Sequence, residues 1–90
     1  MTIPQTGTIA LMFYTSNCAA CKTLWPRLEA AALTAGAKAR KIDAQEHPAL
    51  AKRYNVLGVP TTVLLRDGEW FDCATGVMSE ARLARWFERR

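Results

Sequence analysis

The segment that most restricts the fold is Thr8–Tyr14, an apolar run of strand length that gives way almost at once to a helical pattern. A strand with no polar alternation suits the middle of a sheet, covered on both faces, better than an edge. From Cys18 to Ala35 the residues Cys21, Leu24, Leu28, Ala31, Ala32 and Ala35 recur at helical spacing, and Gly36 offers a left-handed stop. Thr15, Ser16 and Asn17 are residue types that cap a helix by accepting a bond from a free backbone N–H. Pro26 has no N–H to give to the preceding turn and is expected to kink this helix. Ala37–Asp43 reads as a second strand. Strand, helix and strand within about 36 residues form a crossover between parallel neighbours, right-handed by the general rule.

The remaining elements follow from local signals. Pro48 opens a short helix that ends near Asn55, with Leu50 and Tyr54 four apart. Thr61–Arg66 and Glu69–Ala74 are strands joined by Asp67-Gly68, a two-residue hairpin signal, and so pair antiparallel. The last helix has Ser79 as N-cap and Met78 with Leu83 as a hydrophobic staple. Its buried stripe is Leu83, Trp86 and Phe87, and Arg89 and Arg90 complement its dipole. The order is βαβαββα: one α/β domain over 1–90, a four-stranded mixed sheet with three helices. Ninety residues suffice for one core and not for two.

Charge and hydropathy narrow the partners. The longest apolar run, Ile9–Tyr14, is far short of the roughly 20 residues a membrane-spanning helix needs. The N-terminal MTIPQTG has neither the basic nor the apolar part of a secretory signal, so a cytoplasmic location and no membrane partner are expected. The net charge of +4 is spread over both halves with no base-stacking aromatic motif among the cations, which argues for a solvated basic face and against nucleic-acid binding. Three cysteines are an odd number, unsuited to a disulfide scaffold.

Two of the three, Cys18 and Cys21, enclose Ala19-Ala20 at the start of the first helix. There the unpaired N–H groups and the helix dipole favour negative charge, so the Cys18 thiol is expected to ionise below the free value of about 8.5 and to act as nucleophile. Cys21, in line with Leu24 and Leu28, is expected to point inward and to attack once a mixed disulfide has formed. Lys22 adds a cation that stays in solvent. By itself the spacing fits half of a zinc site about as well. A zinc site needs four ligands, and only Cys73 and His47 remain, without a second paired spacing, so no metal is expected. His47, before Pro48, reads as a helix-start or surface residue, and Cys73 as a half-buried thiol in the last strand.

A second constellation, Gly58-Val59-Pro60-Thr61, leads into a strand, where proline is tolerated at the first position. Together, FYTSNCAACK, Pro26 five residues after Cys21, KID at 41–43, YNVLGVPTTVLL, RDGE and the isolated Gly76 resemble the thioredoxin superfamily over about residues 8–90. The resemblance implies a minimal thioredoxin-like fold and a Cys18/Cys21 dithiol that reduces protein disulfides without another cofactor. It implies a cis Val59–Pro60 bond facing the sulfurs, with Asn17, Ala19, Ala20, Val59, Pro60 and Gly76 around the substrate. Disulfide-containing proteins would be the substrates, thioredoxin reductase or glutathione the electron donor, and a monomer the working state.

Departures from that pattern matter too. By the same resemblance the extra N-terminal strand and helix of larger members are not expected here, which gives the size of a glutaredoxin or of the small archaeal-type thioredoxins. The tryptophan before the first cysteine is Asn17, and the Gly-Pro between the cysteines is Ala19-Ala20. The buried acid six residues before the first cysteine is Met12, which leaves Lys41 without its partner, either in solvent or close enough to the thiols to favour thiolate. Glutaredoxin-like reduction of glutathione mixed disulfides is an alternative, weakened because Gly76-Val77 lacks paired glycines. A Cu(I) carrier is another, weakened because Ser16 stands where such carriers place methionine. A scaffold independent of thiol chemistry is a third. Trp25 is placed to border the site, while Trp70, Phe71, Trp86 and Phe87 are assigned to the core and the hairpin.

Overall fold

The structure is a computed structural model that describes residues 3–88. Seven elements follow in the expected order: β1 (Thr8–Tyr14), α1 (Ala19–Ala35), β2 (Lys38–Asp43), α2 (Pro48–Arg53), β3 (Thr61–Arg66), β4 (Glu69–Thr75) and α3 (Glu80–Glu88). The sheet order is β2-β1-β3-β4, with β1 parallel to β2 and antiparallel to β3, and β3 antiparallel to β4. No helix among the described residues is long and apolar enough to cross a membrane.

β1 is central because its sequence is apolar on both sides. Ile9, Leu11 and Phe13 face one core with Ile42, Val63 and Leu65, while Ala10 and Met12 face the other with Leu64, Leu24, Leu28, Leu83 and Phe87. The two-residue side-chain period of a strand makes this division, and burial of each large side chain contributes about 1.5–3 kcal/mol. The first core is covered by Leu50, Ala51 and Tyr54 around α2 together with Ile3. The second lies beneath α1 and α3. β2 carries Lys38, Arg40 and Lys41 exposed along an outer strand, side chains that discourage pairing with another edge.

Turns and caps follow the local chemistry. Asp67 and Gly68 both have positive φ, 51° and 84°, as a twist-matched two-residue hairpin requires. Gly36 closes α1 at φ 71°, and the backbone N–H of this cap reaches Ala32 and Leu33 carbonyls. The Ser79 hydroxyl accepts the Arg82 N–H at 3.1 Å, capping α3, and Met78 and Leu83 are buried together as the staple predicts. Trp86 donates its indole N–H to Asp72 on β4 at 2.8 Å, tying α3 to the sheet. α1 continues through Pro26 as one 17-residue helix.

Several expectations need correction. None of Thr15, Ser16 and Asn17 caps α1; Asn17 is exposed, and the N-cap is Cys18 itself. Cys73 is exposed and not half-buried, because it faces outward on the edge strand β4. Trp70, also on β4, is 57% exposed and does not belong to the core. A register irregularity lies between Leu64 and Leu65, opposite β4, and Phe71 falls there, packing against the α1/α3 core and under the Arg66 guanidinium at 4.4 Å. Arg89 and Arg90 lie outside the described residues.

Candidate active site

Cys18 sits where β1 has ended and α1 has not yet begun. Its backbone is extended, with φ −105° and ψ 99°, so its side chain can turn back over the first helical turn. The Sγ accepts a hydrogen bond from the Cys21 N–H at 3.1 Å, and the Cys18 carbonyl accepts one from Lys22 N–H at 3.2 Å. An N-cap position is usually filled by a serine, threonine or aspartate oxygen; here the acceptor is the sulfur. Cys18 and Cys21 are joined as a disulfide with Cα atoms 5.2 Å apart. Cys18 retains 9% exposure against 3% for Cys21, so an incoming group meets Cys18 first.

The peptide bond Val59–Pro60, just before β3, is cis. Thr61 donates its hydroxyl to the Gly58 carbonyl at 2.6 Å, and Gly76, at φ 81°, donates its N–H to the Pro60 carbonyl at 2.9 Å. Pro60 is buried, while Val59 is half-buried and packs against both cores, including the one that contains the two cysteines. Ala19 is exposed and Ala20 half-buried on the first turn of α1.

A cavity of about 260 Å³ opens beside the disulfide, bounded by Cys18 and Cys21, the β1 residues Met12 and Tyr14, and Trp25 and Lys41. Lys41 is exposed, yet its ammonium lies 5.7 Å from the Tyr14 ring centre and 5.3 Å from that of Trp25. Lys41 therefore reaches solvent while lining the same cavity as the two cysteines. Lys22 is on the rim and exposed. Met12 is paired in the sheet with Lys41 on one side and Thr62 on the other. Thr62 Oγ1 is buried without a hydrogen-bond partner. Larger depressions, of about 490 and 600 Å³, contain no cysteine.

Trp25 and Tyr14 as neighbours of Lys41 were the part of the site least visible in the sequence. Trp25 had the signal of standing four residues after Cys21, one turn along the same helix face. Tyr14 had none beyond its place at the end of β1. Among the described residues no group of three or more His, Cys, Asp or Glu side chains is arranged to hold a metal, and His47 begins α2 without a side-chain capping bond.

This geometry has close counterparts. The thioredoxin family model matches residues 2–89. The chain belongs to the thioredoxin family. It is 32% identical to a thioredoxin of Staphylococcus saprophyticus over 87 residues, covering 94% of this chain and 84% of that one. With a thioredoxin of Chlamydia caviae the identity is 33% over 81 residues, covering 89% and 79%. Among solved structures, a mutant thioredoxin from Halobacterium salinarum superposes with a TM-score of 0.87 at 37% identity, over 93% of this chain and 74% of that one. The thioredoxin of Fasciola hepatica superposes with a TM-score of 0.82 at 28% identity, over 94% and 83%. Such relatives, with a cysteine pair bridged at a helix start, make this thioredoxin-family chain a dithiol protein-disulfide oxidoreductase.

Proposed function

We propose that the protein works as a reductase of protein disulfides in which Cys18 attacks and Cys21 resolves. The observation that carries this is the Cys18 sulfur at the N-cap of α1, accepting the Cys21 N–H. A donor aimed at the sulfur and the positive end of a helix stabilise a thiolate more than a thiol. Reduced Cys18 attacks one sulfur of the substrate disulfide and releases the other as thiolate. Cys21 then attacks the Cys18 sulfur, which re-forms the intramolecular disulfide and releases the second substrate thiol. Two electrons pass to the substrate, and a flavin-dependent thioredoxin reductase or glutathione returns them.

Val59 and Pro60, with Gly76 beneath them, form the wall along which an extended substrate segment pairs, and Asn17, Ala19 and Ala20 form its rim. Val59 offers its backbone to the substrate, whereas Pro60 has no N–H to compete for the sulfurs. The redox-active disulfide serves as the only redox group, the protein acts as a monomer in the cytoplasm, and neither nucleic acid nor a membrane is a partner.

Trapping tests the division of labour. The Cys21→Ser variant, reduced and mixed with insulin, is expected to accumulate an insulin chain linked to Cys18, as read by peptide mass mapping; adducts on Cys73 alone would refute the assignment. Proton removal from Cys21 is assigned to water or to the departing substrate thiolate, since Met12 supplies no carboxylate. The rate is therefore expected to rise with pH through thiol ionisation alone. A pH–rate profile with a further carboxylate-like ionisation would overturn this assignment. Lys41 and Lys22, as cations at the sulfurs' cavity, favour the thiolate, Lys22 weakly because solvent surrounds it.

A further inference from the structure

We propose that the Thr62 hydroxyl is a redox-dependent partner of Cys21: unpaired while the disulfide is closed, it hydrogen-bonds the Cys21 sulfur once the two thiols are formed. This rests on the dithiol reading above and adds a residue that sets how readily the pair is reduced. The starting observation is an uncompensated cost. Thr62 is 0% exposed, and among the described residues its Oγ1 is the buried side-chain atom left without a hydrogen-bond partner. Burying a hydroxyl unpaired is unfavourable, and a second state of the protein in which it is paired accounts for its presence.

The register identifies the neighbour. Thr62 on β3 lies opposite Met12 on β1 and Ala74 on β4, and residues paired in this way project from the same face of the sheet. Met12 and Ala74 belong to the core beneath α1 and α3, as does Leu64, two residues along β3. The Thr62 side chain therefore enters the core that contains both cysteines, beside Met12, which lines the same cavity as Cys18 and Cys21. Little in that core can bond a hydroxyl. Its buried members are apolar apart from their sulfur atoms and the Trp86 indole, and that indole already donates to Asp72. Cys18 Sγ already accepts the Cys21 N–H. Methionine thioethers are weak acceptors in either redox state. Cys21, 3% exposed, is what remains, and its bonding capacity changes on reduction.

In the disulfide, Cys21 Sγ has no proton to give and is a poor acceptor. Reduction by a dithiol such as dithiothreitol breaks the S–S bond, transfers two electrons and two protons to the protein, and closes the ring disulfide of the reagent. The Cys21 thiol then donates its S–H to Thr62 Oγ1, and as a thiolate during resolution it accepts the Thr62 O–H. The resolving proton still leaves to water or to the departing substrate thiolate. A bond made only after reduction stabilises the dithiol against the disulfide, so Thr62 makes the protein easier to reduce.

The test is the equilibrium constant for reduction of the disulfide by dithiothreitol, read as alkylated thiols by mass in wild type, Thr62→Val and Thr62→Ser. Urea unfolding of the oxidised and reduced forms accompanies it. Thr62→Val keeps the branched shape without the hydroxyl and is expected to lower the constant about threefold to tenfold, the range for one neutral hydrogen bond. A tenfold fall is a potential about 30 mV more negative. The oxidised valine variant is expected to be more stable than oxidised wild type, and the reduced variant to gain less. Thr62→Ser keeps the hydroxyl and should hold the constant within about twofold of wild type. A threonine with a purely structural role would shift both unfolding midpoints together and leave the constant unchanged. That outcome, or an equal fall in Thr62→Ser, overturns the proposal. Failure of the dithiol reading is separate: wild type would then cycle with dithiothreitol without reducing insulin.

Discussion

Cys18→Ser is expected to bring insulin-disulfide reduction down to the rate of a protein-free control, while Cys73→Ser keeps the wild-type rate. The hydroxyl of serine does not ionise near neutral pH and forms no bond to sulfur that a second thiol can exchange, so no mixed disulfide begins. Cys21 does not take over, because it is 3% exposed beneath the first turn of α1 and an incoming protein disulfide does not reach it. Cys73 is exposed but stands on the edge strand without the helix start that activates Cys18. The check is turbidity from precipitating insulin chains with dithiothreitol as donor. Full activity in Cys18→Ser would assign the chemistry elsewhere and revive the scaffold reading.

The largest effect on stability is expected at Phe13→Ala, about 3–5 kcal/mol, the usual range for an emptied aromatic core site. Phe13 is fully buried, pairs with Ile42 and Thr61 in the strands beside it, and lies 6.1 Å from the Tyr54 ring at a tilt of 53°. Among the described residues the only helix contributing to its core is α2, six residues long, so little other helical material is available to close the cavity. Against a net stability of about 5–15 kcal/mol for a native domain, that loss is large. Urea unfolding should show a midpoint shifted down with an unchanged slope. A loss below about 1 kcal/mol would mean that the α2-side core collapses around the gap.

The elements that could be read from sequence are those whose signal is local. β1 declared itself by six consecutive apolar residues, the β3–β4 hairpin by Asp67-Gly68, and α3 by Ser79 with the Met78–Leu83 pair. Each of these rests on backbone sterics or on residues within five positions of one another, so the signal is legible without any distant contact. The cap of α1 was misread because three good capping residues precede it and the actual acceptor is a sulfur. Capping preference is a matter of about 1 kcal/mol, and the chain path from β1 decides which residue occupies the turn. Trp70 and Cys73 were misread for another reason: β4 is an edge, and whether a strand is an edge depends on what stands beside it.

What the sequence by itself determined, then, is the order of elements, the central place of β1, and the pairing of two thiols with a helix start, since periodicity and spacing encode these within a few residues. Tertiary structure alone decided that Lys41, twenty residues after Cys21, comes to rest on Tyr14 and Trp25 at the edge of the sulfurs' cavity. The parallel register of β2 on β1 sets that meeting, placing Lys41 beside Met12 and Asp43 beside Tyr14. A register is fixed by burial across the whole sheet, and a slip of one residue would turn Lys41 to the opposite face.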